Sequence, residues 1–341
     1  MELSIIIPVY NVEAYIEKCV QSLQQQDIPK DEYELIIIND GSPDNSREVV
    51  LRLMNTFSNI VFIEQENRGV SLARNAGIDR ARGKYLLFID PDDCVEPHTF
   101  SRVLKAADEQ YAEVIFLGYK FLNADNSVKR EVLFAAEKGK VYPGIKVYTV
   151  SRGDGTTDPD RSWAILFDRD FINRHQLRNI ANVPYLEDGE FLARVLCLAE
   201  RCIFEGNSFY IRTTRPGSAT NSRLFYSDRA INGFFNAADS LKRFKERPSL
   251  KKEQVNFLNR PIIKFTLLIV QACVGKGHYY QYKEVKKRLK INGFEKLDLT
   301  GCFGLYYRYG LLFNISNDLF YWAWTTRLFL ISVRKRFLSF L

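Results

Sequence analysis

The sequence predicts an α/β fold, in which a mostly parallel central sheet is flanked by helices and followed by a C-terminal helical region. Two observations carry this prediction. Through about residue 117, short β-branched apolar runs alternate with stretches of amphipathic helical spacing, the pattern of a parallel sheet covered on both faces. Beyond about residue 220, Phe, Tyr and Leu interleave with Lys and Arg at helical spacing.

The elements follow in order. Residues 4–9 form a short β-branched run and read as a buried strand. Residues 12–26 place Tyr15, Ile16, Cys19, Val20 and Leu23 on one helical face. Residues 33–39 read as a second strand. Ser42-Pro43 offers an N-cap with proline at the first helical position, which predicts a helix to about residue 54. Strands are expected at 60–64, 84–89 and 112–117, with helices at 70–81 and 97–109. Residues 123–157 are irregular and read as variable strands and loops on the acceptor side. A helix over 186–198 and a returning strand over 201–211 complete the α/β part. The expected domains are 1–220, divided into a nucleotide-binding half (1–115) and an acceptor half (116–220), and a basic aromatic region, 221–341.

The chain has 341 residues and is 46% hydrophobic, enough to bury a full core. Six cysteines are scattered without a CxxC pair, and only three histidines are present; this argues for buried thiols in a reducing compartment. The N-terminus lacks a basic region and a long apolar run, so no secretory signal is expected. No uninterrupted apolar stretch reaches the roughly 18–20 residues of a spanning helix. Net charge is +7, unevenly spread: residues 221–341 hold 22 Lys+Arg against 8 Asp+Glu, while residues 1–220 hold 26 against 33.

Ligands on such sheets bind beyond the carboxyl ends of the strands. The residues there are Pro8 to Asn11, Asp40-Gly41-Ser42, Glu66 to Gly69, and Asp90-Pro91-Asp92-Asp93. They are rich in acidic, amide and glycine residues, as a nucleotide site requires. Clustered carboxylates repel unless a cation joins them, and a hard divalent ion, Mg²⁺ or Mn²⁺, bridging to a diphosphate is the natural partner. The competing interpretation is an acidic turn that caps the next helix. Asp40 is suited to accept hydrogen bonds from a base or ribose, or else belongs to a plain strand-to-helix turn capped by Ser42. Arg74 is suited to a phosphate, and Asn75 to holding the acidic loop.

Together, Ser4 to Asn11, Asn39 to Ser42, Asn67 to Gly77 and Phe88 to Asp93 resemble the family 2 glycosyltransferases of the GT-A fold. The resemblance covers roughly the first two thirds of the chain. It implies that Asp40 contacts the nucleobase, in a pocket lined by Pro8 and Tyr10. It also implies that Asp90-Pro91-Asp92 is the DxD element, with Asp92 on the metal, Asp90 near the ribose or metal shell, and Asp93 on the donor sugar. Pro184 to Phe191 resembles the family's ED motif at a helix start. Asp188 then stands at the general base, with Glu187 on the donor side. A base is needed because an alcohol of high pKa must attack an acetal carbon, and one base with backside attack implies inversion. Arg212, Arg215 and Ser218 resemble the loop that closes on the diphosphate, although the metal-binding histidine of some relatives is absent. Trp163 resembles an acceptor-side aromatic that stacks on a sugar, with a core tryptophan as the alternative.

The expected activity is inverting transfer from a UDP- or GDP-type sugar to a hydroxyl on a glycan or lipid-linked acceptor, in cell-surface polysaccharide or glycolipid synthesis. The basic aromatic segment 319–341 suits peripheral contact with the inner face of the cell membrane, or else packs on the domain. A catalytically silent carbohydrate- or membrane-binding module of the same fold is the alternative, disfavoured by the joint presence of Asp40, Asp92 and Asp188. A sugar-nucleotide pyrophosphorylase would carry a glycine-rich N-terminal phosphate loop, which Ser4 to Asn11 lacks. Nucleic acid is not an expected partner, because acidic strand-end loops repel its phosphates.

Overall fold

The computed structural model describes residues 1–123, 125–151, 160–213, 226–274 and 279–338. Chain contacts divide it into two compact units, Met1–Ala181 with Arg194–Ser218, and Asn182–Ala193 with Ala219–Leu341.

The first unit is built on one mixed sheet. Its strands are β1 (Leu3–Val9), β2 (Tyr33–Asp40), β3 (Ile60–Gln65), β4 (Tyr85–Phe88), β5 (Cys94–Val95), β6 (Val114–Leu122), β7 (Val128–Val132), β8 (Val141–Tyr142), β9 (Ile165–Asp168) and β10 (Cys202–Arg212). The helices before β10 are α1 (Ile16–Gln24), α2 (Ser46–Met54), α3 (Val70–Arg80), α4 (Phe100–Glu109), α5 (Gly144–Val150), α6 (Arg169–Arg174) and α7 (Glu187–Leu198). Strand order is β3-β2-β1-β4-β9-β6-β10-β5, with β7 on β6 and β8 on β10. The half β3-β2-β1-β4 is parallel throughout. In the other half β9, β7, β5 and β8 run antiparallel to their neighbours, while β6 and β10 pair in parallel.

β1 and β2 are buried along their whole length, because the central strands of a parallel sheet are covered on both faces; their runs of isoleucine follow from that. The chain leaves β1 towards β2 and β3 on one side and reaches β4 on the other. This reversal opens a crevice beyond the carboxyl ends of β1 and β4. α3 lies close on the sheet: a Cβ at Gly77 would fall 2.4 Å from Ile6 Cγ2. At the opposite rim the buried Glu34 carboxylate accepts from Ser4 Oγ (2.7 Å), from the Arg82 N–H (2.8 Å) and from its guanidinium (2.9 Å).

The predicted start of α2 is displaced. Ser42 does not cap it: its N–H donates to Asn39 Oδ1 (3.1 Å) and its hydroxyl to the Val9 carbonyl (3.4 Å), so it tethers the loop to β1. Asp44 takes over instead, accepting from the Ser46 N–H (3.2 Å) and hydroxyl (2.6 Å), and the helix begins at Ser46. All six cysteines are free thiols, and five of them are buried.

The second unit is helical, with α8 (Asp228–Lys245), α9 (Lys252–Ala272), α10 (Tyr279–Ile291), α11 (Gly304–Ile315) and α12 (Asn317–Leu338). Its core includes Phe234, Leu241, Leu258, Ile263, Leu289, Phe313 and Phe320. Tyr282 of α10 stacks on Tyr321 of α12 at 4.1 Å and donates to Asp318 Oδ1 (2.9 Å). Among the described residues, no helix is long and apolar enough to cross a membrane.

Candidate functional site

The crevice beyond β1 and β4 is lined by three strand-end segments of the first unit. Pro8, near the end of β1, is buried, and Tyr10, just past it, is half-exposed. Gly41, at φ +68°, turns the chain after β2. The buried Asp40 carboxylate ties β2 to the start of α3: Oδ1 accepts from Gln65 Nε2 (2.6 Å) and the Arg68 N–H (2.9 Å), and Oδ2 from the Gly69 N–H (2.8 Å). Those bonds occupy three of a carboxylate's roughly four acceptor sites, leaving about one for an incoming donor.

The acidic loop that follows β4 is held from several directions. Asp93 is buried, and both its oxygens are committed: Oδ2 accepts from the Tyr210 hydroxyl (2.8 Å), and Oδ1 from the Thr213 N–H (2.8 Å). The Tyr210 oxygen in turn accepts from the Asp90 N–H (3.2 Å), and the Thr213 hydroxyl donates to the Asp92 carbonyl. From α1, the Cys19 thiol points at the Asp90 carbonyl (3.9 Å). Burial, and then the charges of Asp90 and Asp92, push the Asp93 carboxyl well above its ordinary range, against the two hydrogen bonds it accepts. Burial, and then Asp93 and Asp90, push the Tyr210 phenol up as well. Asp93, expected on the donor sugar, anchors the loop to the end of β10 in this structure.

Arg74, expected on a phosphate, lies against the acidic loop. It is 3% exposed, its guanidinium lies 3.2 Å from Asp90 Oδ1, and it sits 5.9 Å from the centre of the Phe88 ring. It offsets loop charge from below. Asn75 does not reach the acidic loop but exchanges hydrogen bonds of 2.8 Å with the backbone of Asn179. Trp163, 3% exposed, stacks on Tyr210 at 4.9 Å and meets Tyr119 edge-on at 5.1 Å. Arg161 and Arg212 approach its ring at 5.1 and 5.0 Å. Trp163 is a core residue beneath the site, and its ring is covered rather than offered to a sugar. Arg212 ends β10 and also lies 5.6 Å from the Phe121 ring. Arg215 and Ser218 lie outside the described residues.

Asp92 lines open space. A cavity of about 270 Å³ is bounded by Tyr15, Lys18, Asp92, Leu122, Asn126 and Thr213, among others. Among the described residues, no group of three or more His, Cys, Asp or Glu side chains forms a ready-made metal centre. The donor set still fits a nucleotide-borne Mg²⁺ or Mn²⁺, which takes one or two protein carboxylates and completes its shell with phosphate oxygens and water. Asp92, with Asp90 beside it, supplies that number, whereas Asp93 is occupied elsewhere.

In the second unit, Glu187 and Asp188 occupy the first turn of α7 and are half-buried. Anionic side chains suit a helix N-terminus. The turn before them holds Tyr185 in the left-handed region, at φ +74°. One helical turn on, the fully buried Glu190 accepts from Ser240 Oγ of α8 (2.7 Å). Asn236 donates to the Asn182 carbonyl (2.9 Å), so α8 fixes both sides of the acidic pair.

Sequence reading missed Tyr210, Thr213 and Lys18. Thr213 adjoins Arg212, which the motif resemblance does point to, but an anchoring hydroxyl more than a hundred residues from its carboxylate leaves no local signal.

The model of the family described as Glycosyl transferase family 2 matches residues 4–172. The chain belongs, over those residues, to glycosyl transferase family 2. The chain is 31% identical over 217 residues to an uncharacterized glycosyltransferase, EpsJ, of Bacillus subtilis, covering 64% of this chain and 62% of that protein. It is 26% identical over 226 residues to the poly(ribitol-phosphate) beta-N-acetylglucosaminyltransferase TarS of Staphylococcus aureus, covering 65% of this chain and 37% of TarS. The chain thus matches less than two thirds of the length of either relative. In three dimensions, a crystal structure of S. aureus TarS 1–349 in complex with UDP-GlcNAc superimposes with a TM-score of 0.59 at 19% identity, covering 86% of this chain and 91% of that one. The mannosyltransferase PcManGT of Pyrobaculum calidifontis, in complex with GDP-Man and Mn²⁺, reaches 0.53 at 14% identity, covering 93% and 87%. At such identities the likeness speaks for the GT-A fold alone.

Proposed function

We propose that this protein is an inverting glycosyltransferase that moves a sugar from a UDP- or GDP-type donor to a hydroxyl group on a cell-surface polymer or a lipid-linked glycan. The observation that carries the reading is the acidic loop at the switch point of a family 2 domain, held by Tyr210 and Thr213 so that Asp92 lines a cavity. Buried anchors of this kind are what a loop needs to present charge in one geometry. Donors of both base types occur among the fold's neighbours, and the poly(ribitol-phosphate) acceptor in the name of TarS supports a polyol- or glycan-type acceptor here.

In this reading Asp92 holds a divalent cation, with Asp90 beside it and Arg74 beneath. When bound, that cation offsets the charge that grows on the departing diphosphate. Tyr10 and Pro8 flank the base, and Asp40 fixes the turn that receives it. Asp188 accepts the acceptor's proton as the acceptor oxygen bonds to the anomeric carbon and the bond from that carbon to the diphosphate oxygen breaks. Glu187 and Arg212 serve the donor side, and Arg215 and Ser218 follow from the sequence resemblance. The basic aromatic segment 319–341 supports peripheral contact with the inner face of a membrane that carries the acceptor.

The test is release of nucleoside diphosphate from a panel of UDP-, GDP- and dTDP-sugars with Mn²⁺, with Mg²⁺ and with chelator. One donor is expected to turn over, and chelator to abolish turnover. Asp92→Asn and Asp188→Asn are each expected to lower the rate by about 10²–10⁴-fold at unchanged folding. Turnover by Asp188→Asn at the wild-type rate would remove the base assignment, and the absence of turnover with every donor would remove the enzyme reading.

A further inference from the structure

The outer faces of α11 and α12 are apolar. Tyr307, Leu311 and Ile315 follow one another at four-residue spacing on α11, and all are exposed, Ile315 by 72%. On α12, Leu319, Trp322 and Leu330 continue the pattern, with Trp322 exposed by 51% and Leu330 by 61%. The inner faces are apolar as well, since Phe313, Phe320 and Tyr321 are buried. Helices apolar on both faces leave the second face to be covered by something else, and an exposed apolar stripe of this extent marks an interaction surface.

Charge selects the partner. From Thr300 to Leu341 the sequence holds five cationic residues, Arg308, Arg327, Arg334, Lys335 and Arg336, against one acid, Asp318. Asp318 is already neutralised by Lys286 (2.6 Å) and hydrogen-bonded by Tyr282 (2.9 Å). A second copy of the chain would bring the same positive field and repel. An anionic lipid surface brings the opposite field together with an apolar layer into which the stripe can sink. Tyr and Trp rings suit the headgroup boundary, and among the described residues neither helix is long and apolar enough to span.

We propose that α11 and α12 together lie in the plane of an anionic bilayer, with Tyr307, Leu311, Ile315, Leu319, Trp322 and Leu330 entering its headgroup region and Arg308 and Arg327 meeting lipid phosphates. The surface therefore begins at α11, some fifteen residues ahead of the tail that the sequence marks. Its biological use rests on the reading of a membrane-borne acceptor given above, whereas the binding itself is independent of catalysis.

The experiment is flotation of the full-length chain with phosphatidylglycerol–phosphatidylcholine vesicles and with pure phosphatidylcholine vesicles. The wild type is expected to float with the anionic vesicles and to stay behind with the neutral ones. The variant Leu311→Ser/Ile315→Ser/Trp322→Ser is expected to lose at least about tenfold in partitioning, and Arg308→Gln/Arg327→Gln about ten- to thirtyfold at low salt. Both variants should unfold at the wild-type temperature and release nucleoside diphosphate from donor as before. As a check on the unmutated protein, brominated lipid should quench its tryptophan fluorescence, and Trp322→Phe should remove most of that quenching. Failure to float with anionic vesicles, or equal flotation of the apolar variant, overturns the proposal. So does a wild-type dimer that the same variant converts to monomer without any vesicle binding, which would make the stripe a self-association face. Flotation without donor turnover would leave this proposal standing and defeat only the enzyme reading.

Discussion

Tyr210→Phe removes one oxygen atom from the floor of the acidic loop and leaves the ring in place. That ring is fully buried and stacks on Trp163 at 4.9 Å, so the apolar packing survives the change. Two hydrogen bonds are lost. The Tyr210 hydroxyl no longer donates to Asp93 Oδ2 (2.8 Å), and the Asp90 N–H loses its 3.2 Å acceptor. A buried hydrogen bond contributes about 1–3 kcal/mol when one partner carries charge, and a buried donor left unmet costs a further 1–3 kcal/mol or so. Allowing for partial relaxation, the expected loss is about 2–4 kcal/mol. For a unit of roughly 200 residues, each kcal/mol moves the midpoint by about 2–4 °C, so Tm for the first unit should fall by about 5–15 °C. Differential scanning calorimetry of the full-length chain measures this directly. The variant should also need more Mn²⁺ for half-maximal protection by nucleotide, since the loop that presents Asp92 then loses one of its anchors. A Tm change under about 1 °C would refute the anchoring argument, because it would mean that the Asp93 carboxyl is as well satisfied without the phenol as with it.

Two other perturbations follow from buried charge. Arg74→Met should destabilise the first unit by about 3 kcal/mol, because Asp90 is left beside Asp92 and Asp93 without its 3.2 Å cation; adding Asp90→Asn should recover more than half of the loss, and purely additive effects in the calorimetric cycle would refute the coupling. Glu34 supplies a pH-dependent contribution at the opposite rim of the sheet. Burial alone would raise its carboxyl, but hydrogen bonds from Ser4 and Arg82 prevail and hold it below its ordinary value of 4.5. A depressed folded-state value means that stability is fully present above 4.5 and is lost as pH falls through the lower folded value. Glu34→Gln should therefore flatten the fall of Tm on the acid side, and parallel profiles for the two proteins below that pH would contradict the assignment.

The parallel half of the sheet is legible in the sequence because β1 and β2 are buried on both faces and show it as unbroken apolar runs. The DxD loop is legible because it must follow such a run. What fails is orientation at single positions. Asp92 and Asp93 are neighbours of identical chemistry, yet one lines the cavity and the other is buried against Tyr210, a residue brought there by the pairing of β10 with β5 and β6. Trp163 has the composition of a sugar platform and the position of a core residue, and burial is decided by Tyr119 and Tyr210, which are remote in sequence. Ser42-Pro43 has the form of a helix start, but local preference yields to the tether that draws Ser42 to Val9. Each miss is a tertiary contact overriding a local rule.

The acidic loop is clamped from beneath by Tyr210 and Thr213, while Tyr15, Lys18 and Asn126 contribute to the wall of the cavity it faces. Support and lining thus come from different stretches of chain. Lys18 can be exchanged without touching the clamp, so the shape and charge of the cavity wall are open to redesign at little risk to the part that holds the carboxylates in place.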